Sequence, residues 1–84
     1  MTNTETQQAI DLLKNGNSLQ TSYADYGGLQ LSYDLDSGKI MFDRKYWSNG
    51  AAQFESQRMS ESEFEAYFAA AYSDWDDFAA AFGV

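Results

Sequence analysis

Between residues 29 and 35 apolar and polar side chains alternate without a break. Leu29, Leu31, Tyr33 and Leu35 take turns with Gln30, Ser32 and Asp34. A period of two sends one set to each face of an extended chain, so this stretch predicts a half-buried β-strand. Asp36, Ser37 and Gly38 supply turn chemistry, and residues 39–47 (KIMFDRKYW) return as a second strand with Ile40 and Phe42 on one side. Asn49 and Gly50 both tolerate positive φ and predict a tight hairpin turn. Residues 51–59 (AAQFESQRM) then run back as a third strand with weaker alternation. The product is an antiparallel meander.

Helical periods flank it. Thr4 with Gln7 three residues later has the form of a capping box, and Ala9, Ile10, Leu12 and Leu13 follow as an apolar face. Lys14 near the negative end of the dipole and Gly16 as a left-handed stop predict a helix over residues 4–15. Residues 19–26 (LQTSYADY) carry no clear period and fit a loop, a helical turn or an edge strand. After the meander, Ser60 and Glu63 form the strongest local signal, a reciprocal capping box. Beyond it Phe64, Phe68, Ala71, Trp75, Phe78 and Phe82 recur at helical spacing, widened by Tyr67, Tyr72 and Ala79. Ser73, followed by Asp74, Asp76 and Asp77, is also a competent new N-terminus, so this segment predicts one kinked helix or two short ones sharing a face. The fold class is α+β: an N-terminal helix, a three-stranded antiparallel sheet and a C-terminal amphipathic helix, in the order α-β-β-β-α(α). With no linker or repeat, residues 1–84 form one domain.

Composition changes this picture in two ways. Aromatics make up 17% of the chain, which favours a packed core over disorder. Thirteen acids face five bases for a net charge of −8. The imbalance is uneven: residues 39–58 hold four of the bases, while no lysine or arginine follows Arg58 and six acids do. Such a chain repels nucleic acid and anionic membranes and attracts basic surfaces. No apolar run approaches the ~20 residues of a membrane span, and the polar start is no signal peptide. With no cysteine the chain suits a reducing cytoplasm.

Candidate chemistry is sparse. Histidine and cysteine are both absent, which removes the commonest general base and the strongest nucleophile, so no catalytic residue and no enzyme activity are expected. The stretch from Asp34 to Lys39 superficially suggests a calcium loop, but counted from Asp34 neither Gly38 nor Lys45 falls where an EF-hand needs its glycine and glutamate. No metal or cofactor is expected. Lys39, Arg44, Lys45 and Arg58, interleaved with Tyr46 and Trp47, fit the pattern of a single-strand binding sheet. The overall charge argues instead that they pair with the chain's own acids.

The acids themselves are the candidate site. Glu61, Glu63 and Glu65 on the first part of the C-terminal segment, and Asp74, Asp76 and Asp77 on the second, form a strip with Trp75 as a possible anchor. Asp34 and Asp36 at the first hairpin turn form a second patch. Helical spacing sets Glu61 beside Glu65 and Asp74 beside Asp77, a like-charge arrangement costing roughly 0.2–0.5 kcal/mol per pair. Acids ringing aromatic anchors suit a protein interface.

In element order and composition the whole chain resembles the small acidic anti-CRISPR proteins of phages. That resemblance implies a DNA mimic whose carboxylates stand in for phosphate and block the DNA-reading site of a Cas effector or similar defence nuclease. It further implies action in the host bacterial cytoplasm. The expected partner is thus the basic surface of a nucleic-acid-binding protein, met by a monomer or a homodimer. The alternative is a small acidic adaptor or structural phage protein whose acids serve only solubility.

Overall fold

The computed structural model describes residues 1–21 and 27–84. In chain order they form α1 (Asn3–Lys14), β1 (Leu19–Gln20), β2 (Gly27–Asp34), β3 (Lys39–Ser48), β4 (Ala51–Met59), α2 (Glu61–Ala71) and α3 (Trp75–Phe82). The strands make one antiparallel sheet in the order β1-β2-β3-β4. Four strands among the described residues correct the expected three. The addition is β1, whose two residues are too few to show a period, although Leu19 is buried opposite Leu31. The remainder of the ambiguous stretch, residues 22–26, lies outside the described residues.

Register explains the two faces of the sheet. Leu19, Leu31 and Phe42 stand in one cross-strand row, and Ile40 pairs with Met59 in the next. These five side chains form a single core with Ala9, Ile10, Leu13, Phe64, Phe68, Phe78 and Phe82 of the helices. All three helices therefore pack on one face. The opposite face carries Met41, Lys45, Trp47, Phe54 and Arg58, of which Phe54 is 69% exposed. Asn49 (φ 53°) and Gly50 (φ 75°) make the expected two-residue turn between β3 and β4. Leu35, expected to extend the first strand inward, instead sits in the β2–β3 turn and is exposed.

Two helix ends differ from expectation. The first capping box is Thr2 with Glu5, not Thr4 with Gln7, and α1 starts one residue earlier. The C-terminal stripe divides into two helices because Tyr72 leaves the helix with extended backbone (φ −127°, ψ 137°). Its ring stacks on Phe68 at 5.7 Å and meets Phe78 edge-on at 5.4 Å. The Met1 ammonium donates to the carbonyls of Ala69 and Tyr72, satisfying the end of α2. The new N-cap is Asp74 rather than Ser73, and it accepts from the Asp77 amide. Each short helix brings one stacked pair to the core, Phe64–Phe68 at 4.3 Å and Phe78–Phe82 at 4.5 Å. Ala71 lies off that stripe and is exposed.

Candidate protein-binding surface

At one end of the molecule the N-terminus of α2 meets the β2–β3 turn. Glu61, at the first position of α2, forms an ion pair with Lys14 at 3.0 Å and accepts a long hydrogen bond from the Tyr33 hydroxyl. It is thereby turned toward α1 and β2 instead of standing as an unpaired neighbour of Glu65. The same contact raises the Lys14 pKa, chiefly through the hydrogen bond to Glu61. Glu63 closes the second capping box, accepting from the Ser60 amide at 3.1 Å, and that bond holds its carboxyl below the usual range. Asp34 accepts from the Ser37 hydroxyl at 2.8 Å and the Asp36 amide at 3.1 Å. The Ser37 bond is the main reason its carboxyl also titrates low, with Arg58 adding a weak pull from 4.0 Å. Asp36 is fully in the turn and exposed.

The other aspartates gather at the far end of α2. Asp77 accepts from the Ser73 amide and hydroxyl while its own amide donates to Asp74, so the two carboxylates brace one turn of backbone. Asp76 projects into solvent. Between them Trp75 is half-buried, packed on Phe78 at 5.4 Å and against the core. Its amide donates to Glu5 at 2.6 Å. Glu5 thus ties the start of α1 to the start of α3, and its carboxyl is held low by the amides of Thr2 first and Trp75 second.

Glu65 lies midway along α2 and, with Asn3, Gln7 and Asp11 of α1, lines a shallow open groove of about 580 Å³ between the two helices. The predicted strip is therefore not one patch. It runs from Asp34, Asp36, Glu61 and Glu63 at one end, past Glu65, to Asp74, Asp76 and Asp77 at the other. The α1 acids Glu5 and Asp11 join it, and neither was singled out by its sequence context. Glu5 was hidden because its second partner, Trp75, lies 70 residues away.

The charge distribution is the clearest feature of the surface. The three helices and their caps carry eight acids and one base, Lys14. The strands β2 to β4 and their turns carry four acids and four bases. Among the described residues Arg58 lies 4.0 Å from Asp34, while Arg44 lies over the Tyr46 ring at 5.0 Å. Among the described residues no group of three or more acids is placed to hold a metal ion, and no helix is long and apolar enough to cross a membrane. Comparison with protein-family models, characterised proteins and solved structures finds no match.

Proposed function

We propose that this chain is a non-enzymatic binding protein whose acidic helical layer docks on a basic, phosphate-reading surface of a nucleic-acid-handling protein and blocks its access to DNA. The observation that carries this reading is the segregation of charge, eight acids to one base on the helices against balance on the sheet. Acids placed only for solubility give no reason for one layer to be left almost without bases. Hydrogen bonding adds a second support. Glu5, Asp34 and Glu63 are held ionised and in fixed directions by amides and hydroxyls, so little side-chain freedom is lost when a cation meets them. The test is capture from a bacterial lysate on the immobilised chain, followed by elution with duplex DNA. A DNA-binding protein released by DNA supports the reading; retention indifferent to DNA contradicts it.

A second reading draws on the same contacts. Glu63, Asp74, Asp77 and Asp34 all satisfy helix ends or turns, and Glu61 joins two helices. On that view the acids stabilise and solubilise a small adaptor. It predicts that no partner is lost when the acids with no such role, Glu65 and Asp76, are neutralised.

A further inference from the structure

Among the described residues strand β4 lies at the edge of the sheet, and no strand pairs with the outer side of its nine residues. The opposite edge strand, β1, has only two residues. Long edges are normally blunted by proline, lysine or a bulge, because unpaired amides and carbonyls recruit another strand. Here β4 pairs with β3 in unbroken register from Ala51 to Met59 and contains neither proline nor lysine. The two-residue turn closes on the hydrogen-bonded pair Ser48–Ala51, and such pairs alternate along an antiparallel ladder. The amides and carbonyls of Ala52, Phe54, Ser56 and Arg58 therefore point away from β3. The same even-numbered side chains stand on the sheet face that the helices leave uncovered.

We infer that the occupant of this edge is a second copy of the chain, its β4 antiparallel to the first about a two-fold axis at Ser56, giving one continuous sheet. Side-chain complementarity selects the copy and the register. With the axis at Ser56, exposed Phe54 stands opposite Arg58 of the other copy, a cation–aromatic pair once the guanidinium swings outward from Met41 and Asp34, and Glu55 faces Gln57. Shifting the axis to Glu55 opposes two carboxylates. Moving it to Phe54 leaves Arg58 with nothing opposite it on the other copy, and moving it to Gln57 sets Phe54 against Ser60, where the strand has ended. About six main-chain hydrogen bonds join the copies through Phe54, Ser56 and Arg58. A contact made through one strand edge is small, so the dimer is weak. Both acidic helical layers lie on the same side of the joined sheet, so screening by salt strengthens it. That dependence is opposite in sign to the one expected for binding a basic partner, and the dimer does not rest on that proposal.

Sedimentation equilibrium at ~1 mM chain, with rising salt, reads the association directly. The expected mass approaches twice the 9.5 kDa of one chain as salt rises. Ser56→Pro removes an outward amide without touching the β3 ladder, and is expected to stay monomeric while retaining its circular dichroism. Ser56→Ala, which loses only the hydroxyl bond to Asp43, is expected to dimerise like the parent. Phe54→Lys, at a position with no core role, sets like charges against Arg58 and should also be monomeric. In the cysteine-free chain, Ser56→Cys should form a disulfide dimer at least roughly tenfold faster than Ser32→Cys on β2. A chain that is monomeric at every salt concentration overturns the proposal. So does a dimer that folded Ser56→Pro and Phe54→Lys leave intact, or one in which β4 takes up some other segment and Ser56→Cys gains no advantage.

Discussion

Phe68 stands at the centre of the aromatic core, touching the rings of Phe42, Phe64, Tyr67, Tyr72, Phe78 and Phe82. It is fully buried. Phe68→Ala should cost roughly 3–5 kcal/mol, which approaches the whole stability of a domain this small, so urea denaturation should find it largely unfolded. Trp75, by contrast, is only half-buried, so Trp75→Ala should cost about half as much, roughly 2 kcal/mol. Gly27 has φ +138°, and an added Cβ would stand 2.7 Å from the Lys45 carbonyl oxygen. Gly27→Ala should therefore destabilise by about 1–3 kcal/mol in the same assay. Glu5 gives a pH signature. Its folded-state pKa is lowered, so the stability it contributes is present above the ordinary glutamate value and is lost as pH falls through the folded one. Glu5→Gln should lower Tm at pH 7, and the gap should narrow only once pH falls below the ordinary glutamate value.

At the level of elements, what the sequence made legible was what local pattern decides. The Asn49-Gly50 turn, the strand over residues 51–59 and the Ser60–Glu63 capping box depend on neighbours within a few residues, and each appears as expected. The misreadings lie where distant contacts choose between local options. Thr2–Glu5 and Thr4–Gln7 both have capping-box form, and the bond that the Trp75 amide donates to Glu5 is a contact that favours the first frame. The apolar stripe continues in phase through residues 72–74, so the break was marked not by periodicity but by the capping chemistry of residues 73–77, which placed it to within a residue. Tyr72 ends α2 by turning its ring against Phe68, Phe78 and Phe82, a packing that no local pattern encodes. Of the candidate site, the acids, the capping role of Glu63 and the placing of the aspartates at a second helix start were legible, but the Glu61–Lys14 ion pair and the bracing of Ser73 by Asp77 were not. The break gives a clean prediction. Asp74→Ala should lower stability by about 1 kcal/mol, whereas Asp74→Asn, still an N-cap, should melt within a few tenths of the parent.

Across the whole molecule, the sheet balances its charge and the helical layer does not, so the proposed docking on a basic surface would be steered by a field, not by one contact. Replacing Asp74, Asp76 and Asp77 together by Asn keeps the cap and removes three charges from that field. The fold should stay intact, because Asn at these positions can still accept from the Asp77 and Ser73 amides. The most direct measurement is the association rate of the DNA-binding protein captured on the chain, followed by stopped flow from 0.1 M to 1 M salt. Over that range the screening length falls from about 10 Å to about 3 Å. If the acidic layer is the binding surface, the rate drops steeply with salt for the parent chain, and the triple Asn variant binds more slowly with a shallower salt slope. A rate that is flat across the range, or a triple variant that binds as fast and as tightly as the parent, would contradict it.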